Sequence, residues 1–181
     1  MTGKIEMLSS KTVYENRWMK VREDTVRFSN GHEGIYGIVD KDDFVLVVPI
    51  HPDGTIQMVQ QFRYPVGGRY WELPQGSWES KESVDPVQIA LGELAEETGL
   101  RAKKMEPIGH FFEAYGFSNQ GFHLFLATGL FQGPPERETE EHGMISGMFA
   151  MEEIVQMITE GTIKDAPTIA AIGYLRLTAR I

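Results

Sequence analysis

The chain has 181 residues, of which 41% are hydrophobic and 24% charged, and it carries a formal net charge of −9 at pH 7. This composition is typical of an ordinary globular protein and excludes a disordered chain, while the acidic balance argues against a nucleic-acid surface, which needs clustered Lys and Arg. The absence of cysteine excludes disulfides, thiolate nucleophiles and zinc–sulfur sites.

The first 42 residues are predicted to form an antiparallel β-sheet element of their own. They begin without the apolar core of a secretory signal, and no run in the chain reaches the roughly 18 apolar residues of a membrane span. Strand-like alternation over 11–40, with Ser29-Asn30-Gly31 as a turn, predicts the sheet.

Because the sequence shows neither the apolar core of a secretory signal nor an apolar run of membrane-spanning length, we expect a cytoplasmic protein with no membrane partner.

Residues 43–181 are predicted to form the main domain, of α/β class. The apolar run at 44–50 is typical of a strand buried on both faces. The sequence His51-Pro52-Asp53-Gly54 reads as a hairpin loop, so we expect the alternating run at 56–63 to pair with that strand.

A helix is predicted at 86–98. Asp85 is a good N-cap, Pro86 suits the first helical position and Gly99 suits a left-handed C-terminal cap. One face of this helix is expected to pack and the opposite face to be acidic. The packing stripe comprises Val87, Leu91, Leu94 and Thr98, and the acidic face comprises Glu93, Glu96 and Glu97.

The three glutamates are candidate metal ligands. Carboxylates at this spacing repel one another, so each raises the pKa of the others unless a cation lies among them. Oxygen ligands at this density suit Mg²⁺ or Mn²⁺. For the glutamates alone, the solvated face of an amphipathic helix is the commoner role, because charge runs are common on exposed helices.

The wider pattern resembles the Nudix box, the loop–helix–loop signature of pyrophosphohydrolases. Two departures from the family pattern stand out. The box has two extra residues between Glu82 and the helix, and Gly92 occupies the position of the family arginine. Either another cation, such as Lys81 or Arg101, replaces that arginine, or the site is weaker than in the family. The matching residues are Gly76, Glu82, Glu93, Leu94, Glu96, Glu97, Gly99 and Leu100.

The segment before the box, QQFRYPVGGRYWELPQG, resembles the ADP-ribose pyrophosphatase branch of that family. The resemblance implies a Nudix-type αβα sandwich with a mixed sheet. It also implies that the backbone carbonyl of Gln75 binds metal, that Arg63 is a candidate for phosphate contact and that Glu72 lies near the site. The alternative for Arg63 is an exposed strand residue in a surface ion pair. In that branch the N-terminal sheet forms homodimers, so we expect a homodimer here.

Beyond the box helix, strands are expected at 102–112 and 121–128, and the loop between them is expected to border the substrate. Tyr115 stands where the branch usually has proline, which weakens the case for ADP-ribose. Tyr115 or Phe117 could stack on a base, although core burial is the commoner role of such rings. Helices are predicted at 151–159 and from 165 to about 178, and the five histidines show no metal-ligand spacing in the sequence.

The acidic loop at 129–143 is expected to complete the site, because the resemblance implies a downstream glutamate that acts as general base or as an extra metal ligand. Glu140 and Glu141 are favoured, with Glu138 behind them. A mobile acidic loop without chemistry is the alternative.

The predicted function is Mg²⁺-dependent (or Mn²⁺-dependent) hydrolysis of the diphosphate in a nucleoside diphosphate linked to a second group. ADP-ribose would give AMP and ribose 5-phosphate. Glu93 and Glu97 would bind the metal, and Glu96 would share the metal or a water. The alternative is a Nudix-fold module that binds a nucleotide with weak or no catalysis, since Gly92 replaces the arginine. Prenyl diphosphate isomerisation needs a cysteine in this family and is excluded.

Overall fold

The computed structural model describes residues 4–77, 84–133 and 143–181. The chain divides into two compact units, one of Met1–Asp43 with Phe112–Gly121 and the other of Phe44–Phe111 with Phe122–Ile181. The sequence predicted a division near residue 42. It held no sign that the segment Phe112–Gly121 groups with the N-terminal residues.

The first unit contains an antiparallel sheet, as predicted, in the order β1 (Glu6–Glu15), β2 (Lys20–Arg27) and β3 (Glu33–Asp40). All ten residues of β1 are exposed, whereas β2 buries Asp24 and Val26. The segment Phe112–Gly121 is hydrogen-bonded to the end of β3, where the Val39 N–H donates to the Phe117 carbonyl at 2.8 Å. The Ser118 hydroxyl donates to the Val39 carbonyl at 2.9 Å.

In the described part of the chain, seven further strands build two more sheets. One is antiparallel, in the order β10-β5-β6, and the other is β7-β4-β9-β8. The second sheet is mixed, since β4 runs parallel to β9 and antiparallel to β7. The strands are β4 (Phe44–Pro49), β5 (Ile56–Arg63), β6 (Gly68–Glu72), β7 (Gln75–Gly76), β8 (Leu100–Phe112), β9 (Gly121–Gln132) and β10 (Ile145–Phe149).

Helices cover both faces of the central strand β4. They are α1 (Pro86–Thr98), α2 (Met151–Glu160) and α3 (Ala166–Leu177). Leu46 and Val48 belong to a core cluster with residues of α2 and α3, whereas Val45 and Val47 belong to a cluster with residues of α1. This alternation confirms the prediction that the run is buried on both faces and gives the αβα layering. Within the described ranges, none of the helices is long and apolar enough to cross a bilayer.

The predicted hairpin between β4 and β5 is wrong. The turn itself forms, with the His51 N–H donating to the Thr55 carbonyl at 2.9 Å. Beyond a single bridge between Ile50 and Ile56 the two strands separate into different sheets, and β5 pairs with β10 and β6. The turn residues determined only the local reversal, because strand pairing depends on the partners that the rest of the chain supplies.

Candidate active site

Helix α1 forms because strong local signals mark both of its ends. The Asp85 carboxylate accepts from the Val87 N–H at 3.0 Å, and Pro86 occupies the first turn. At the other end Gly99 has φ 73° and its N–H donates to the Ala95 carbonyl. The helix predicted at 86–98 is confirmed.

The acidic face of α1 is buried. Glu93 is 7% exposed and Glu97 is 3% exposed, while Glu96 is partly buried. The alternative of a fully solvated face is therefore wrong. Of the predicted packing stripe, only Leu94 is fully buried. The helix therefore packs both a hydrophobic and an acidic surface against its neighbours. Space for the acidic surface exists because Gly76, in the short strand β7, has no side chain.

The absence of a side chain at Gly76 leaves the space that the Glu93 carboxylate occupies. A Cβ at this position would lie 2.5 Å from both carboxylate oxygens of Glu93. The φ of Gly76 is not in the left-handed region, so space and not backbone conformation requires glycine here. The Glu93 carboxylate consequently rests against the backbone of β7.

The neighbouring residue Gln75 holds the second carboxylate. Its N–H donates to Glu97 Oε2 at 3.0 Å. Strand β7 is itself placed by pairing with β4, and the Val47 N–H donates to the Pro74 carbonyl at 2.9 Å. Two carboxylates one helical turn apart thus converge on two consecutive residues. Two buried carboxylates brought together in this way are a donor set that fits a hard divalent cation.

A second buried charge, Glu72, is clamped by side chains of β5. Glu72 is 2% exposed. Arg63 donates to it through Nε at 3.1 Å and through a terminal nitrogen at 2.6 Å, and Gln61 Nε2 donates at 2.8 Å. Both oxygens of Glu72 are occupied by these contacts, whereas 40% of the Arg63 side chain remains exposed. Arg63 is thus the member of the pair that is open to a ligand.

The Arg63 guanidinium interacts electrostatically with Glu97 of the acidic helix α1. Burial opposes the charged form of Arg63, but the hydrogen bonds and charge of Glu72, with the charges of Glu97 and Asp165, raise the pKa of Arg63 above its ordinary value. Burial raises the pKa of Glu72, and the Arg63 guanidinium opposes that shift. Arg63 stays charged at neutral pH and lies close enough to Glu97 to interact with it.

The charge interaction with Glu97 makes Arg63 a further candidate for the cation that replaces the box arginine, and the sequence did not suggest Arg63 for that role. Of the two candidates, Lys81 lies outside the described residues. Arg101 directs a terminal nitrogen to the Leu100 carbonyl at 3.3 Å. Arg63 is far from the box in sequence, and only the pairing of β5 with β6 places it beside Glu72.

The remaining predicted residues belong to the other compact unit or lie outside the described residues. Tyr115 is 84% exposed and Phe117 59% exposed, so core burial is wrong for both rings. They belong to the first compact unit, and Arg63, Glu72, Gln75 and the α1 glutamates belong to the second. The predicted bases Glu140 and Glu141, like Glu138 and Glu82, lie outside the described residues.

Two of the five histidines are neighbours in space. The rings of His110 on β8 and His123 on β9 have centroids 4.8 Å apart. The sequence contained no signal for this pair, because the two residues meet only through the pairing of β8 with β9 in the second sheet.

Comparisons with known proteins agree with this architecture. Residues 5–39 match the model of the nucleoside diphosphate sugar hydrolase N-terminal domain, and residues 41–172 match the NUDIX domain. The chain is 33% identical to an ADP-ribose pyrophosphatase of Mycobacterium tuberculosis over 92% of its own length and 81% of that protein. It is 32% identical to an ADP-ribose pyrophosphatase of Bacillus subtilis over 94% of its own length and 91% of that protein. A crystal structure of an ADP compounds hydrolase superposes with a TM-score of 0.83 at 18% identity, covering 98% of this chain and 97% of that one.

Proposed function

The chain belongs to the Nudix family of hydrolases, and we propose that it hydrolyses the diphosphate bond of ADP-ribose or a related nucleotide sugar. The observation that carries this proposal is the convergence of the buried Glu93 and Glu97 carboxylates on Gly76 and Gln75. The matched N-terminal domain of nucleoside diphosphate sugar hydrolases and the ADP-ribose pyrophosphatase relatives support the substrate class. For ADP-ribose the products are AMP and ribose 5-phosphate.

In the proposed mechanism Glu93, Glu97 and the Gln75 carbonyl would hold Mg²⁺ or Mn²⁺, and Glu96 would share the metal or orient the attacking water. The divalent cation, when bound, neutralises the diphosphate oxygens and lowers the pKa of a water. Arg63 contacts a phosphate oxygen through the part of its guanidinium that Glu72 does not occupy. Glu140 or Glu141 accepts the proton of the water as it attacks one phosphorus in line, while the bridging P–O bond of the diphosphate breaks and the second phosphate leaves with its group.

A substrate panel tests the proposed reaction. ADP-ribose, ADP-glucose, GDP-mannose and a dinucleoside polyphosphate are incubated with the protein, Mg²⁺ and alkaline phosphatase. Intact ADP-ribose has no terminal phosphate, so phosphate is released only after cleavage of the diphosphate. We expect the highest kcat/KM for ADP-ribose, with AMP as a product. Binding of ADP-ribose in a thermal shift assay without phosphate release would instead support the nucleotide-binding module, for which Gly92 is the motivating feature.

Arg63→Lys is expected to raise the KM for ADP-ribose by roughly 10- to 150-fold, because losing one charge-assisted hydrogen bond costs roughly 1.5–3 kcal/mol. Lysine keeps a positive charge beside buried Glu72, so the fold should survive, but it cannot make the forked contact. Steady-state kinetics measure the change, with Arg176→Lys at an exposed position of α3 as the control. An unchanged KM would remove Arg63 from the substrate contacts.

We also propose that the protein is a homodimer assembled through the N-terminal sheet. Strand β1 is exposed along its whole length, including Met7 at 61%, Val13 at 53% and Tyr14 at 55%. An antiparallel sheet normally buries one face, and exposed apolar surface of this kind is typical of an interface. Residues 5–39 match the nucleoside diphosphate sugar hydrolase N-terminal domain. This match supports the proposal, because it assigns the exposed sheet to a domain that other hydrolases also carry.

Sedimentation velocity at about 10 µM, a concentration at which micromolar or tighter dimers persist, is expected to show a dimer. Val13→Glu should shift the protein towards monomer, because it places a charge in the apolar surface. Val155→Glu changes an exposed valine on α2 and serves as the matched control. A wild-type protein that sediments as a monomer would refute the dimer.

A further inference from the structure

The short segment between β6 and β7 is held by hydrogen bonds from several elements. The Trp71 N–H donates to the Thr162 carbonyl at 3.1 Å, ahead of α3. The Leu73 N–H donates to the Thr168 hydroxyl at 2.9 Å. Pro74 and Gln75 are then held by β4 and by Glu97 of α1. This segment is therefore the link between α3 and the acidic helix.

Thr168 is the side chain in this link that belongs to neither the box nor its flanking strand. It is completely buried, and so is Leu73. Its backbone N–H donates to the Asp165 carboxylate at 2.8 Å, which fixes the residue in the first turn of α3. Its side-chain oxygen is consequently directed at the Leu73 amide from a rigid support.

A chain of contacts runs from Thr168 to the carboxylates. The hydroxyl fixes the Leu73 amide, and two residues later the Gln75 N–H holds Glu97 Oε2 at 3.0 Å. The next residue, Gly76, contacts the Glu93 carboxylate. A shift of Leu73 away from α3 would move both residues of β7 relative to α1. Groups that orient metal ligands affect metal affinity even without touching the ion.

We propose that Thr168 is a positioning residue for the divalent-cation site, acting through the backbone of residues 73–76. The inference rests on the proposed roles of Glu93, Glu97 and Gln75 as metal ligands. Thr168 touches neither the metal nor the substrate in this proposal. Its hydroxyl sets the position of β7 and thereby the affinity of the carboxylates for the cation.

The test compares Thr168→Val, which keeps the shape and removes the hydroxyl, with Thr168→Ser, which keeps the hydroxyl. Mn²⁺ binding is measured by electron paramagnetic resonance without substrate. Thr168→Val should weaken Mn²⁺ binding by about 10- to 100-fold, as loss of an outer contact typically does. It should also lower kcat at a fixed metal concentration, with activity recovering at high Mn²⁺. Thr168→Ser should bind Mn²⁺ within about threefold of wild type.

Two outcomes overturn the inference: a folded Thr168→Val protein with wild-type Mn²⁺ affinity, or a Thr168→Ser protein as impaired as Thr168→Val. Should Thr168→Val fail to fold, Thr168→Ala, which also removes the hydroxyl, is measured in the same way with the same criteria. The Glu97→Gln variant separates this test from the proposed function. If Glu97→Gln loses Mn²⁺ and Thr168→Val does not, only the role of Thr168 is refuted. If neither loses it, the metal-ligand assignment fails.

Discussion

Glu97→Gln is expected to lower kcat for ADP-ribose by about 10²- to 10⁴-fold, the range seen when a positioned catalytic group is lost. The neutral amide is a poorer ligand for a divalent cation than the carboxylate, so Mn²⁺ binding should weaken as well. The fold should be preserved, because the amide oxygen of glutamine can still accept from the Gln75 N–H, which now holds Glu97 at 3.0 Å.

The measurements are kcat under saturating substrate, Mn²⁺ affinity by isothermal titration calorimetry, and Tm. Glu152→Gln, an exposed glutamate in the first turn of α2, is the control and should leave kcat and Mn²⁺ affinity unchanged. A Glu97→Gln protein with wild-type turnover would show that this carboxylate has no part in the reaction. A large fall in Tm would instead indicate that Glu97 serves mainly to hold β7 against α1.

The features that could be predicted from the sequence are those determined by local interactions. Asp85, Pro86 and Gly99 act on neighbouring backbone groups, so the bounds of α1 could be predicted from those residues alone. The apolar run of β4 likewise predicted its own burial on two faces. In both cases the deciding contacts lie within a few residues, or follow from hydrophobicity alone.

Features that depend on distant partners could not be predicted in this way. The turn after β4 formed, yet β5 joined another sheet, because its pairing with β10 depends on residues far along the chain. The burial of Glu93 and Glu97 depends on the absence of a side chain at Gly76. The motif resemblance singled out these glutamates, but their burial depends on the strand that packs beneath them.

The clamp on Glu72 illustrates how a tertiary contact changes the interpretation of a residue. From the sequence, Glu72 and Arg63 were both candidates for substrate contact. In the structure Glu72 is 2% exposed and both its oxygens accept hydrogen bonds from Arg63 and Gln61. Glu72 therefore holds Arg63 in place, and the guanidinium nitrogen that Glu72 does not occupy is the one left for another partner.

Gly76→Ala is expected to abolish most metal binding while leaving the fold intact. The new Cβ would lie 2.5 Å from both carboxylate oxygens of Glu93, well inside van der Waals contact. The carboxylate is the end of a flexible side chain, so it can move away without displacing the backbone, and alanine suits the backbone conformation because the φ of Gly76 is not in the left-handed region. The displaced carboxylate can no longer share a cation with Glu97. We expect Mn²⁺ affinity and kcat both to fall by about 10²-fold or more, as they do when a positioned charge is lost.

Gly173→Ala is the matched control, because a Cβ at this helical position meets nothing within 4 Å. It should leave metal affinity unchanged and stabilise α3 by up to about 1 kcal/mol, the difference in helix propensity between alanine and glycine. Mn²⁺ titration and Tm are measured for both variants. If Gly76→Ala binds Mn²⁺ like wild type, the Glu93 carboxylate is not a ligand, and its contact with Gly76 only packs the helix. If Gly76→Ala loses Mn²⁺ at unchanged Tm, the space at Gly76 serves the cation site, which is the result that the geometry predicts.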